Sequence, residues 1–139
     1  MKARILLIED NPQNRYLTRF LLEQRGHEVF HAETGPQGLE SAARLRPDLI
    51  LLDIQLPGMD GHAVARALKT DAQLKSIPIV AVTSYAMIGD REKCLEAGAE
   101  GYIEKPINPE SFVAEVERFL LPGRLPVATD QADGSGPID

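Results

Sequence analysis

Pro47-Asp48-Leu49-Ile50-Leu51-Leu52-Asp53-Ile54-Gln55-Leu56-Pro57-Gly58-Met59-Asp60-Gly61 is the stretch on which the fold turns. Four consecutive aliphatic residues, Leu49 to Leu52, end on a carboxylate. No polar residue alternates with them, which is the pattern of a strand buried on both faces. Pro57-Gly58 and Asp60-Gly61 then punctuate a turn. Runs of the same kind flank it: Ile5-Leu6-Leu7-Ile8 upstream and Ile79-Val80-Ala81-Val82 downstream. Two shorter runs, Val29-Phe30 and Tyr102-Ile103, suit the edges of a sheet.

Between these runs the apolar period becomes helical. Leu17, Phe20 and Leu21 lie at i, i+3, i+4, with Gly26 as a stop. Leu39, Ala42 and Ala43 repeat the spacing, as do Val64, Ala67 and Leu68. Phe112, Val116, Phe119 and Leu120 mark a last helix, with Asn108 as its expected N-cap and Pro109 in its first turn. Residues 87–97 carry only a narrow stripe (Met87, Ile88, Cys94, Leu95) and read as a fourth helix. Strand and helix therefore alternate five times. Short connections between them predict an α/β fold with a five-stranded parallel sheet, a doubly wound (βα)5 unit with helices on both faces.

Composition narrows the function. The 139 residues fit one domain, and 43% hydrophobic with 26% charged residues is the balance of a globular protein. Trp is absent, so the core is expected to be aliphatic. The single cysteine, Cys94, excludes an internal disulfide and any multi-cysteine metal site, and reads as a small buried hydrophobe. A net charge of −6 argues against nonspecific nucleic-acid binding. No apolar run approaches the ~20 residues needed to span a bilayer. Met1-Lys2-Ala3-Arg4 leads into an apolar run without a signal-cleavage pattern, so a cytoplasmic location is expected. His27, His31 and His62 are scattered without metal-ligand spacing and read as surface or edge residues. Residues 1–121 are expected to form the domain. Residues 122–139, rich in Pro, Gly, Ala and Ser with one Arg against three Asp, are expected to be a disordered acidic tail.

In an open α/β sheet, ligands bind beyond the carboxyl ends of the strands. The first run ends in Glu9-Asp10, the third in Asp53, the fourth in Thr83-Ser84 and the fifth in Glu104-Lys105-Pro106. Carboxylates clustered at one edge repel one another, and a divalent cation is the economical remedy. An all-oxygen set including Asp10 and Asp53 suits Mg²⁺. Lys105 and Thr83 could hold the oxygens of a phosphoryl group, with the Asp53 carboxylate as nucleophile. Each piece has a duller reading. Asp10 or Asn11 could merely cap a helix that has Pro12 in its first turn. Lys105 alone would be a solvated lysine, and Tyr102 edge-strand packing. The conjunction at one sheet edge carries the argument.

These residues resemble the receiver domain of bacterial response regulators, the CheY-like phospho-acceptor half of two-component signalling. The resemblance covers residues 3–121 and rests on several pieces in order: Ile8-Glu9-Asp10-Asn11, residues 47–61, Pro78 to Ser84, Gly98-Ala99 and Lys105-Pro106. It implies a flavodoxin-like sheet in the order 2-1-3-4-5. It implies that Asp53 accepts a phosphoryl group from a phosphohistidine on a sensor histidine kinase or histidine phosphotransferase. It further implies that Asp10 and Asp53 ligate Mg²⁺ directly, Glu9 through water and Gln55 by its backbone carbonyl. Thr83 and Lys105 would bind phosphoryl oxygens, a cis bond before Pro106 would aim Lys105, and Tyr102 would change rotamer as Thr83 moves. Gln55 and Tyr85 flank the route for hydrolytic water and are expected to tune the lifetime of the acyl phosphate.

Two other classes fit less well. A phosphatase of the haloacid dehalogenase type needs an acid two residues after its aspartate, where this chain has Gln55, and a longer chain. A nucleotide-binding module would want a Gly-rich loop after the first strand, and Glu9-Asp10-Asn11-Pro12 is not one. The expectation is thus a single-domain response regulator rather than an enzyme, its chemistry limited to its own phosphorylation and dephosphorylation. Eighteen residues after Leu121 leave no room for an effector domain. Output is expected through docking of a protein target on the face of the fourth helix, fifth strand and fifth helix. The expected state is a monomer, with dimerisation on phosphorylation left open.

Overall fold

Five strands form where the apolar runs stand. β1 (Arg4–Ile8), β2 (Glu28–Ala32), β3 (Leu49–Asp53), β4 (Ile79–Thr83) and β5 (Gly101–Glu104) alternate with five helices, α1 (Pro12–Gln24), α2 (Gly35–Leu45), α3 (Gly61–Thr70), α4 (Asp90–Glu96) and α5 (Phe112–Glu117). The computed structural model describes residues 2–84 and 89–120. All strand pairs are parallel, in the order β2-β1-β3-β4-β5. The sheet is the one expected. Tyr85, the first two residues of the expected fourth helix and the tail at 122–139 lie outside the described residues.

The unbroken apolar runs are explained by the two layers. Leu6, Ile8, Ile50, Leu52, Ile79 and Ala81 point to one face, against Ala42 of α2, Val64 and Leu68 of α3 and Cys94 of α4. Ile5, Leu7, Leu49, Leu51, Val80 and Val82 point to the other, against Leu22 of α1 and Phe112, Val113 and Val116 of α5. With a period of two and helices on both sides, every position of β3 and β4 is buried.

Three local expectations are corrected. On α1 the sheet-facing pair is Thr18 and Leu22, while Leu17 and Phe20 of the expected apolar face are 36% and 46% exposed. The helix is rotated because its first turns lie over the crevice at the sheet end. There Thr18 joins Leu7, Asp53 and Lys105 in the lining, with half-exposed Leu17 at its rim. At the last helix, Asn108 does not cap α5 from the expected position. Its Oδ1 accepts from Glu110 N and its carbonyl from Phe112 N, closing a turn, and α5 starts at Phe112. His27 is not a surface residue: it is 3% exposed. Its Nδ1 accepts from Ala3 N at 3.1 Å, so Nε2 carries the hydrogen and donates to Glu117 Oε2 at 2.7 Å. Arg25 reaches the other oxygen of Glu117 at 2.9 Å.

One glycine has a plain steric reason. A Cβ on Gly61 would lie 2.5 Å from Ile54 Cα and 2.7 Å from Ile54 O. Gly61 N donates to that same carbonyl at 3.0 Å. The start of α3 is thereby pressed against the end of β3, and the loop between them, carrying Gln55, is held tight over the sheet edge.

Candidate functional site

Glu9, Asp10 and Asp53 meet at the carboxyl edge of the sheet. One carboxylate oxygen from each lies within 4.8 Å of the others. β1 and β3 are neighbours in register Ile8↔Leu52, so the residues just beyond them are brought side by side. Glu9 and Asp53 are buried and Asp10 is exposed. The cap of α1 falls to Asn11, whose Oδ1 accepts from Gln13 N and Asn14 N at 2.9 and 3.0 Å. Asp10 is thereby left for the cluster. Arg15, one turn into α1, donates to the carbonyls of Glu9 and Asp10 at 3.1 and 3.0 Å and steadies the loop.

Lys105 arrives from the end of β5, where Lys105 N donates to Thr83 O at 2.8 Å. Its Nζ sits 2.6 Å from Glu9 Oε1 and 3.5 Å from Asp53 Oδ2. The peptide bond between Lys105 and Pro106 is cis, as expected. Thr83 is fully buried at the end of β4, one residue past Val82, the register partner of Asp53. Gln55 N donates to Asp53 Oδ1 at 3.0 Å, and the Gln55 amide oxygen accepts from Ser84 Oγ at 2.9 Å. The two loops that flank Asp53 are thus joined across the site.

The electrostatics are those of an edge short of positive charge. The Asp53 carboxyl is pushed up to about 7, chiefly by burial and further by the neighbouring Glu9, against the opposing Gln55 N–H and Lys105. One ammonium faces three carboxylates. A divalent cation with oxygen preference would relieve that excess, and the donor set present, three carboxylates, fits Mg²⁺. The chemistry open to such a site is attack by an Asp53 oxygen on an electrophile whose developing negative charge Lys105 can meet.

The aromatic at the fifth strand has a partner the sequence did not disclose. Tyr102 Oη donates to Asp90 Oδ2 at 2.8 Å, tying β5 to the first residue of α4. Burial and that bond hold the phenol in its protonated form, its pKa raised. Asp90 also stands near two residues that had been read as ordinary: His62 of α3 and Cys94 of α4. Burial, Asp90 and Asp60 push the Cys94 thiol up to about 11. The one signal in the sequence was the i, i+4 spacing of Asp90 and Cys94. Nothing local linked either to His62, which is 32 positions from Cys94.

On α1, Tyr16, Leu17 and Phe20 form an exposed apolar patch, with the Tyr16 and Phe20 rings stacked at 6.1 Å between centroids. No described helix is long and apolar enough to cross a membrane.

Residues 5–117 match the response regulator receiver domain family. Among curated relatives, the polar-differentiation response regulator DivK of Brucella anthropi is 42% identical over 120 residues, covering 86% of this chain and 98% of the relative. Among solved structures, the receiver domain of the sensor histidine kinase PA1611 from Pseudomonas aeruginosa superposes with a TM-score of 0.79 at 36% identity, over 86% of this chain and 98% of that one. That structure has a magnesium ion coordinated in its active-site cleft. Chemotaxis response regulator CheY4 of Vibrio cholerae gives a TM-score of 0.81 at 29% identity, over 86% of this chain and all of that one.

Proposed function

This chain belongs to the response regulator receiver domain family, a family of bacterial two-component signalling proteins, and from that premise we propose that Asp53 is its phosphoryl acceptor. The observation that carries the reading is the convergence of Asp53, Glu9, Asp10 and Lys105 from three separate strand ends. An oxygen of Asp53 attacks the phosphorus of a phosphohistidine on a histidine kinase or phosphotransferase. The O–P bond forms as the P–N bond breaks, and the departing imidazole nitrogen takes up a proton on the partner's side. Lys105, already 3.5 Å from Asp53 Oδ2, turns from Glu9 toward the new phosphoryl oxygens. Thr83, at the end of β4, donates its hydroxyl to another. The Gln55 N–H keeps the carboxylate oriented. Asp10 and Asp53 directly, Glu9 through water and the Gln55 carbonyl are the groups that would hold Mg²⁺, which supplies charge to offset the phosphoryl oxygens. The magnesium in the cleft of the Pseudomonas aeruginosa receiver supports this assignment.

The patch of Tyr16, Leu17 and Phe20 begins one turn from the acidic edge, and we assign to it the docking of the phosphodonor protein. Output lies on the opposite flank. Phosphorylation draws Thr83 inward, and the Tyr102–Asp90 bond conveys the change to α4, so that the α4–β5–α5 face is what a target protein reads. Gln55, tied to Ser84 beside Tyr85, controls water access and hence the lifetime of the acyl phosphate. No acid stands two residues after Asp53, in keeping with a signalling protein rather than a phosphatase.

Incubation with acetyl phosphate and Mg²⁺ followed by intact mass tests the acceptor. A gain of one phosphoryl group that is lost in Asp53→Asn is expected. Labelling that persists in that variant overturns the assignment.

A further inference from the structure

We propose that His62, Asp90 and Cys94 form a second metal site, selective for a borderline cation of the Zn²⁺ class, that fastens α3 to α4. The three side chains come from two helices on the far side of the sheet edge from Lys105. Cys94 Sγ lies 3.6 Å from His62 Nε2, and Asp90 Oδ1 lies 3.9 Å from that nitrogen. All three ligand atoms fall within 4.8 Å of one another. Zinc bonds of about 2.0 Å to nitrogen or oxygen and about 2.3 Å to sulfur place tetrahedral ligand atoms roughly 3.3–3.5 Å apart. The Cys94–His62 separation of 3.6 Å is already close to that value, and the Asp90–His62 separation of 3.9 Å needs to close by about half an ångström, within reach of a side-chain rotation.

The hydrogen bonding points the same way. Asp60 Oδ1 accepts from His62 N at 3.0 Å and faces His62 Nδ1 at 3.1 Å. A carboxylate can only accept, so Nδ1 carries the hydrogen, and in the neutral ring the Nε2 lone pair is directed at Cys94 and Asp90. This carboxylate–histidine arrangement is the one that orients imidazole ligands toward metals. Tyr102 Oη occupies Asp90 Oδ2 at 2.8 Å and leaves Oδ1 turned to the imidazole. Among the described residues, two acceptors, Nε2 and Oδ1, therefore face one weak donor, the Cys94 thiol. Helix packing alone satisfies one of them with the S–H and leaves the other to water, since both side chains are partly exposed. A cation satisfies both, and the thiol proton passes to solvent as the sulfur–metal bond forms.

Access exists without unfolding. An open groove lined by Asp60, His62, Arg66, Lys93, Glu96 and Ala97 leads to the imidazole. The mixed nitrogen, sulfur and oxygen donors separate this site from the all-oxygen edge around Asp53: the first suits Zn²⁺, the second Mg²⁺.

The test is Co²⁺ and Zn²⁺ binding to the full chain in excess Mg²⁺, which fills the acidic edge. One equivalent of Co²⁺ is expected to produce the near-ultraviolet thiolate-to-cobalt band and the intense visible bands of a tetrahedral centre, and Zn²⁺ to abolish them. Affinity for Zn²⁺, read by competition with a chromophoric chelator, should fall at least tenfold in Cys94→Ser and in His62→Gln. Asp53→Asn should bind as the parent does. Absence of the thiolate band overturns the proposal, as does Zn²⁺ binding that both ligand variants retain or that Asp53→Asn loses. His62→Gln leaves the buried thiol in place, so the test stands even if Cys94→Ser does not fold.

Discussion

As the proposed phosphoryl acceptor, Asp53 carries a cost that this chemistry requires. A nucleophile must be ionised, yet burial and Glu9 lift its pKa from 3.8 to about 7. Between those values the folded chain holds a proton that the unfolded chain has released. Without metal, stability is therefore greatest below the unfolded value and falls as pH rises toward about 7. Asp53→Asn removes the effect. In chelator, its unfolding free energy should match the parent's near the unfolded pKa and exceed it by on the order of 2 kcal/mol above the folded one. Chemical denaturation across that range checks this. Mg²⁺ should raise the parent's midpoint and leave the variant's nearly unchanged, because a cation bound only to the folded state stabilises that state. At Tyr102 the expectation is smaller. Tyr102→Phe loses only the bond to Asp90, a change of about 1 kcal/mol, and should blunt the response of α4 amide shifts to a beryllofluoride mimic while sparing phosphorylation.

Helices show which parts of the pattern could be read. The strands were legible because burial on both faces leaves no other reading of Leu49 to Leu52 or Ile79 to Val82. α1 was legible in extent but not in rotation. Its apolar residues occupy two arcs, and tertiary packing decides between them: Leu22 enters the core under the sheet and Thr18 the crevice at its end. The other arc is available to a partner. Phe20→Ser should slow phosphotransfer from a phosphohistidine protein at least tenfold and leave labelling by acetyl phosphate unchanged, since the small donor needs no helix face. Equal loss with both donors would refute the docking assignment. At the start of α3 the constraint is backbone against backbone. Gly61→Ala drives a methyl onto Ile54, should cost roughly 2 kcal/mol or more, and should lower acetyl phosphate labelling because the loop bearing Gln55 moves.

Across the whole molecule the two ends of the sheet divide the labour. The carboxyl ends hold the acidic edge. The amino ends hold His27, clamped between Ala3 N and Glu117, partners 24 and 90 residues away. Such distances explain why His27 read as a surface residue: no window of sequence contains both partners. The acidic edge was legible despite equal remoteness, because each carboxylate terminates a recognisable run and the parallel order sends all those termini to one side. His27→Ala should lower the unfolding free energy by about 2–4 kcal/mol, since it leaves a cavity with Ala3 N–H and a Glu117 oxygen unpaired. Denaturant midpoints check this. The extent of Asp53 labelling should stay at the parent's level in conditions where the variant is folded.

The ammonium of Lys105 reaches Glu9 from 96 residues further along the chain, past two intervening strands. During synthesis Glu9, Asp10 and Asp53 leave the ribosome well before it. A nascent chain thus brings its acids together before the ammonium that bridges Glu9 and Asp53 is available, with Arg15, bonded to the Glu9 and Asp10 carbonyls, as the cation at hand. The proposed phosphoryl acceptance at Asp53 therefore waits on the fifth strand, which carries that lysine to the edge.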